Sequence, residues 1–416
     1  MAENSALAPP ILAFDHHSHR VSNHRAQVVD EVREHPVFWT EANGGHWVVT
    51  SHELARRVFR DAEVFFSGRT EDGGGGVTIP SVMGPVLIPA EADGQYHRTL
   101  RRILTPKFLR KAIDAAQPAI EALVVRAVDD IIAKGEFDVV HDIADVVPAG
   151  VMVEYLGFPD EAREPFIHAV QAALSVMPHA NDPDVVDSQA FADGLASFGA
   201  AVDIIESLIA ERRVSPREDL VSHLVDPAHG LSDEEVLWLA FTLMVGGAEN
   251  PAASISNALV VLAQDDGLRA RLLADLDEVP AALEELLRFT SPATSLARNI
   301  RVDVELGGVH LKAGQRILVW LPAVNHDPGV FSDPDTVDLD RETCPHLAFG
   351  DGRHVCIGAG LFRLQFDLLL REILTRVPNF SLELDRAERF DDASTMWGFR
   401  TLPGRTNLPV AASVVT

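Results

Sequence analysis

The feature that most constrains this chain is a run of helix-forming sequence from Ser232 to about Gln264. Ser232 with Glu235 forms an S-x-x-E capping box, in which each side chain satisfies a backbone N–H of the other and fixes the start. At 1.5 Å per residue such a helix spans roughly 50 Å, the width of a whole molecule built from 416 residues. Everything else must pack around it. Its apolar stretch, Val236 to Ala248, is interrupted by Thr242 and closed by Glu249 and Pro251. A membrane span needs about 20 apolar residues, so a buried helix is expected.

The rest of the chain reads as helix-rich. From Gly94 to about Arg213 apolar residues recur at helical spacing, as in Ile113 to Lys134. Further helices are expected near Glu278 to Phe289, stopped by Ser291-Pro292, and from about Gly358 to Arg376, stopped before Pro378. Residues 11–60 mix a short helix with strand-like Trp47-Val48-Val49-Thr50, and Val302 to Trp320 holds short strands turning at Gly307-Gly308 and Ala313-Gly314. Glu71-Asp72 with Gly73 to Gly76 reads as a mobile loop, too short to tether domains. The expected fold is mainly α with a minor β-sheet, a single domain over 1–416. A net charge of -27 gives nucleic acid no basic face to bind. Two cysteines, Cys344 and Cys356, provide no disulfide framework and fit a reducing cytoplasm. Met1 to Arg20 is Pro/His-rich, without the apolar core of a signal peptide or membrane anchor.

Two segments carry chemistry. In Phe349-Gly350-Asp351-Gly352-Arg353-His354-Val355-Cys356-Ile357-Gly358, glycines on both sides of one cysteine let backbone N–H groups approach a sulfur anion. The helix that follows points its positive end at the same atom, and both effects are expected to lower the thiol pKa. On the residues alone other readings stand: Cys356 as a small buried hydrophobe, or a zinc site from Cys344-x-His346 and His354-x-Cys356. The second segment is Val245-Gly246-Gly247-Ala248-Glu249-Asn250-Pro251. Two glycines and a proline cost on the order of 4–5 kcal/mol in a plain helix, and Pro251 is expected to free the Gly247 carbonyl and kink it. Packing alone gives little reason for this; an opening beside a ligand does. Glu249, in apolar surroundings, is expected to have a raised pKa and to supply protons, or else to pair with an arginine.

The cysteine segment resembles the haem-binding signature F-x-x-G-x-[HR]-x-C-x-G of cytochromes P450 at every constrained position. Glu285-Leu286-Leu287-Arg288 resembles that family's E-x-x-R helix, and Arg341 the arginine that completes its ion-pair triad. Asn325-His326-Asp327-Pro328 and Pro345 to Gly350 are similar as well. Pro89 to Phe108 resembles the family's propionate-binding helix, although the usual D-P-P is replaced by Asp93-Gly94-Gln95. The resemblance implies the P450 fold, with haem b (iron protoporphyrin IX) between the long helix and the helix after the cysteine. It implies Cys356 as axial ligand to the iron, Phe349, Gly350 and Gly358 as shapers of its loop, and His97, Arg101, Arg298 and His354 on the propionates. Glu285, Arg288 and Arg341 would be a structural triad. The Gly246–Pro251 segment resembles the groove where the family holds dioxygen, normally A-G-x-[DE]-T-T; here Asn250 and Pro251 depart from it. An amide donates a hydrogen bond but does not relay a proton as a hydroxyl does.

The implied function is a monooxygenase that places one oxygen atom from O2 into a small or medium hydrophobic molecule, by hydroxylation or oxidative O-demethylation. Nothing in the chain resembles a flavin or iron–sulfur domain, so electrons would pass from NAD(P)H through a separate ferredoxin and reductase. Arg101, Arg102, Lys107, Arg110, Lys111, Arg353 and Arg363 would form a basic patch for that ferredoxin. Substrate-lining residues are expected in the Phe65 to Pro89 loop and at Val245, Gly246, Thr294, Ser295, Leu296, Met396 and Trp397. Trp397-Gly398-Phe399-Arg400 with Pro251 resembles P450s that O-demethylate aromatic ethers. Asn250-Pro251 keeps open a peroxide-driven or coupling-type enzyme, and the zinc reading a non-catalytic haem or zinc protein.

Overall fold

The computed structural model describes residues 10–71, 73–81, 85–159, 165 and 188–408. Its largest sheet has five strands: β1 (Val37–Thr40), β2 (His46–Val49), β3 (Phe65–Phe66), β4 (Ser295–Ile300) and β5 (Arg316–Trp320), in spatial order β1-β2-β5-β4-β3. Only β2 and β5 run parallel, with Val48 opposite Leu318. The sequence reading missed β4. Its residues are almost all buried, Arg298 among them, so the polar–apolar alternation that marks a half-exposed strand is absent.

Eight helices matter for the site: α1 (His52–Arg60), α2 (Gly94–Leu104), α3 (Arg110–Lys134), α4 (Val146–Leu156), α5 (Gln189–Val214), α6 (Asp233–Gln264), α7 (Val279–Thr290) and α8 (Ala359–Arg376). The central helix is α6, and its capping box is formed. Ser232 Oγ accepts from Glu235 N at 3.1 Å, and Glu235 Oε2 accepts from Ser232 N at 2.9 Å. α4 and α5 pack along α6, while α8 packs on α3, whose Ile120, Val124, Val128 and Ile131 make one buried stripe. α7 ends where Ser291 turns left-handed, with φ of 38°, before a proline that does not continue a helix. α6 is helical through Pro251 without a break, although the proline still leaves the Gly247 carbonyl without its usual N–H partner. Part of the 94–213 stretch, residues 160–164 and 166–187, lies outside the described residues, as do Asp72 and residues 82–84 of the two loops read from sequence.

Candidate functional site

Cys356 sits just before α8. The backbone N–H groups of Gly358 and Ala359 approach its sulfur, and the Arg101 and Arg363 charges act on it from α2 and α8. Burial nonetheless outweighs these and pushes the thiol up, which corrects the expected lowering. The lowering influences are present; the low-dielectric surroundings are stronger. The residue still keeps exposed surface. The loop is held in place by Cys356 N donating to the Phe349 carbonyl at 2.9 Å. Gly350 and Gly352 both have positive φ, and a Cβ on Gly352 would lie 2.6 Å from the Phe59 carbonyl oxygen. The loop therefore fits against α1 only as glycine.

Beside this loop four cationic or potentially cationic side chains converge. The His97 and His354 rings are 4.1 Å apart. Arg298 is 3 % exposed and, among the described residues, donates one hydrogen bond, to the neighbouring Ala297 carbonyl at 2.8 Å. Burial pulls its pKa down to about 10. The Arg101 guanidinium has no hydrogen-bond or ion-pair partner among the described residues, and burial with the adjacent cations takes His97 to about 4. One carboxylate, Asp93, lies near, 3.6 Å from His354 Nε2 and already accepting from Gly68 N at 2.6 Å and Ser67 N at 3.0 Å. Buried guanidinium groups without matching carboxylates are costly, so the cluster suits an anionic group.

The middle of α6 is the second segment that carries chemistry. Val236 to Met244 and Pro251 to Leu262 are mostly buried, whereas Gly246 and Asn250 are exposed and Val245 and Glu249 half-buried. The two glycines serve different ends. A Cβ on Gly246 would meet nothing within 4 Å, but one on Gly247 would lie 2.3 Å from Met152 Sδ of α4. Packing does explain Gly247, contrary to the sequence reading, and Gly246 faces open space. Glu249 has no cation partner among the described residues. Burial pushes its carboxyl up to about 7, with the Asp145 charge adding to the effect.

The cysteine loop is braced from α7. Glu285 Oε1 and Oε2 accept from Arg288 Nη2 and Nε at 2.7 and 2.8 Å, and Oε1 also from Arg341 Nε at 2.9 Å. The neighbouring Glu284 takes Arg363 at 2.6 and 2.8 Å and His346 Nε2 at 3.1 Å. Arg363 also lies over the Phe349 ring, 4.6 Å from its centroid. This second bracket was missed in the sequence, because Glu284 and Arg363 are 79 residues apart.

Residues 8–281 and 273–410 match the family model described as Cytochrome P450. The chain belongs to the cytochrome P450 family. Among relatives it is 32% identical over 342 residues to the Nocardicin C N-oxygenase of Nocardia uniformis, covering 81% of this chain and 83% of that one. To the Steroid C26-monooxygenase of Mycolicibacterium smegmatis it is 28% identical over 372 residues, covering 88% and 89%. In structure it is similar to Mycobacterium marinum cytochrome P450 CYP268A2 in complex with pseudoionone, with a TM-score of 0.83, 27% identity, and 96% and 100% of the two chains covered. The protein is thus an enzyme of the P450 monooxygenase class, for which the family implies a haem iron cofactor. The accessible sulfur ringed by N–H donors and the unmatched cations fit that group. Among the described residues no helix is long and apolar enough to cross a membrane, and no three His, Cys, Asp or Glu side chains are grouped to hold a metal ion. Cys344 is directed to Glu285 and His346 to Glu284, away from any joint site with Cys356.

Of the expected substrate-lining residues of this P450, two are buried and a third is held between cations. Thr294 is fully buried, its hydroxyl donating to the Ala393 and Ser394 carbonyls, and the Ser295 hydroxyl donates to Ser394 as well. Trp397 is clasped between Arg25 and Arg389, 3.7 and 3.8 Å from its ring centroid, and donates Nε1 to the Ser22 carbonyl. Leu296 and Met396 remain half-buried. The basic patch is also less free than its composition suggests. Arg110 pairs with Asp114, Arg353 with Glu63 and Arg363 with Glu284, while Arg102 and Lys111 are exposed without an ion-pair partner among the described residues. Sequence reading missed Arg56 and Arg60 of α1, which share Asp351 of the cysteine loop at 3.0 and 2.8 Å.

Proposed function

We propose that this P450 inserts one oxygen atom from O2 into a small or medium hydrophobic molecule, by hydroxylation or oxidative O-demethylation. One observation carries the reading: an accessible, N–H-lined sulfur at Cys356 beside His97, Arg101, Arg298 and His354, which have too few carboxylates to match. Cys356 would ligate the iron of haem b, with the cations on its propionates and Glu285, Arg288 and Arg341 bracing the loop. Haem bound there supplies the redox chemistry that activates oxygen, and thiolate ligation favours O–O cleavage. The remaining work falls to this chain's own side chains. Glu249 holds or releases a proton near neutral pH beside the cleft. The Asn250 amide, without a side-chain partner among the described residues, donates a hydrogen bond into the groove. Gly246 leaves the helix surface open, and Val245, Leu296 and Met396 exclude water and orient an apolar substrate.

Electrons would come from NAD(P)H through a reductase and a ferredoxin docking at Arg101, Arg102, Lys107 and Lys111, a basic area on a chain of net charge -27. Two free thiols support a cytoplasmic setting. A relative named for a steroid and a neighbour holding pseudoionone support a hydrophobic substrate. Asn250 in place of a hydroxyl favours a second reading, a peroxide-driven or coupling enzyme. A reduced-CO difference spectrum of the haem-loaded protein tests the core claim: a band at the thiolate position, lost in Cys356→Ser, is expected, and its absence in wild type sinks it. Turnover with hydrogen peroxide against ferredoxin, reductase and NAD(P)H separates the two readings.

A further inference from the structure

The stretch Asp15-His16-His17 has no part in the site above, yet it joins two distant segments of the chain. His17 Nε2 lies 2.7 Å from the Ile79 carbonyl oxygen and Nδ1 lies 2.8 Å from Asp392 Oδ2. Both partners can only accept hydrogen bonds. A neutral imidazole carries one N–H and serves one of them; serving both requires the imidazolium. His16 Nε2 reaches the same Ile79 carbonyl at 2.8 Å, and its ring lies 4.4 Å from His17 and 5.3 Å from His46.

We infer that His17 is a charged clasp, a positioning residue that ties segment 75–81 to segment 391–397 and so sets the substrate end of the cleft. Both segments hold the start of β4. The Val77 carbonyl accepts from Ala297 N at 2.8 Å, and the Thr395 carbonyl from Thr294 N at 3.0 Å. Arg316 secures the first segment through the Gly76 carbonyl and Ser81 Oγ. Between Thr294 and Ala297 lies Leu296, which borders Gly350 of the cysteine loop. A shift in either segment therefore moves residues that face the proposed substrate.

The charged groups about His17 are Asp15 and Asp392 on one side and His16 and His46 on the other, with Arg316 facing His46. Burial opposes charge on His17, but the Asp392 carboxylate and Ile79 carbonyl overcome it and keep the imidazole above its ordinary 6.5. Burial takes His16 to about 3 and His46 to about 4, so the proton of this cluster belongs to His17. The sign follows: the clasp is complete below 6.5 and is lost as pH rises through the raised value.

The clasp itself stands on hydrogen-bond geometry, whereas its effect on substrate rests on the oxygenase reading. NMR of the full chain with nitrogen-labelled histidine should show both ring nitrogens protonated at neutral pH for the signal that His17→Gln removes. Amide exchange, corrected for its intrinsic pH dependence, should speed up about tenfold in both segments together, in His17→Gln and in Asp392→Asn. Phenylimidazole should bind the haem-loaded variants several-fold more weakly, and imidazole unchanged. A neutral His17 at neutral pH, or exchange altered in one segment alone, overturns the clasp. Phenylimidazole affinity unchanged in a variant whose segments have loosened overturns the link to substrate, while the oxygenase reading stands or falls on the CO spectrum. Should His17→Gln not fold, Asp392→Asn and the wild-type histidine signals still decide.

Discussion

Two adjacent carboxylates, Glu284 and Glu285, should respond very differently to the same change to glutamine. Glu285 is 2% exposed, between Arg288 at 0% and Arg341 at 6%. Besides the two guanidinium groups it accepts from Asp338 N at 3.0 Å. An amide there keeps one acceptor oxygen and turns an NH2 toward a cation, leaving buried positive charge without its anion. Breaking a buried pair costs about 3–5 kcal/mol. Arg288 keeps the carbonyls of Asn325, Pro334 and Thr336, which places Glu285→Gln near the lower bound. Glu284 is 27% exposed and its Arg363 partner 44%. Although burial is overcome by Arg363 and His346 to take its carboxyl to about 2, solvent screens the pair, worth about 0–1 kcal/mol. With an unfolding entropy of roughly 2 cal/mol/K per residue, about 3 kcal/mol lowers Tm by about 3–4 °C in a chain this long, and Glu284→Gln lowers it by about 1 °C or less. Far-UV circular dichroism melts and urea midpoints at matched haem content measure this. Burial raises the Glu285 carboxyl but its arginines hold it below the ordinary 4.5, so its contribution, present above 4.5, disappears as pH falls through the depressed value. Equal losses in the two variants, or a larger one for Glu284→Gln, would refute the reasoning.

Glu249→Gln should leave haem binding intact and flatten the pH dependence of coupling, the share of electrons reaching product rather than peroxide. Because burial holds its proton up to about 7, wild-type stability should fall as pH rises from 4.5 to about 7, and that slope should be weaker in the variant's urea titrations. Asn250→Thr should alter peroxide yield at unchanged haem content; unaltered yield together with a silent Glu249→Gln would remove both residues from proton delivery. Gly247→Ala should cost about 1–3 kcal/mol of overpacking against Met152, relieved by Met152→Ala, while Gly246→Ala should gain up to about 1 kcal/mol of helix stability and weaken ligand binding. Parallel melts and azole titrations check the pair.

What was legible in the sequence was local. The start of α6 followed from Ser232 and Glu235 three residues apart, the end of α7 from Ser291-Pro292, and the cysteine loop from glycines whose positive φ the turn requires. Glu249 was readable because burial in an apolar run acts on a carboxyl whatever the tertiary detail. What sequence could not carry was sign and partner at long range. The influences that lower the Cys356 thiol were visible in the glycines and the helix, but the burial that outweighs them depends on how the surrounding elements close in. Thr294, Ser295 and Trp397 were read as lining by position, and the partners that hold them, carbonyls at 393 and 394 and arginines at 25 and 389, were not legible there. A charge counts as free only after the fold has chosen its neighbours. That is why the partners of Arg110, Arg353 and Arg363 were not legible in the sequence, and why Arg298, already read as a propionate anchor, could not be seen there to have, among the described residues, one carbonyl and no carboxylate as hydrogen-bond partners.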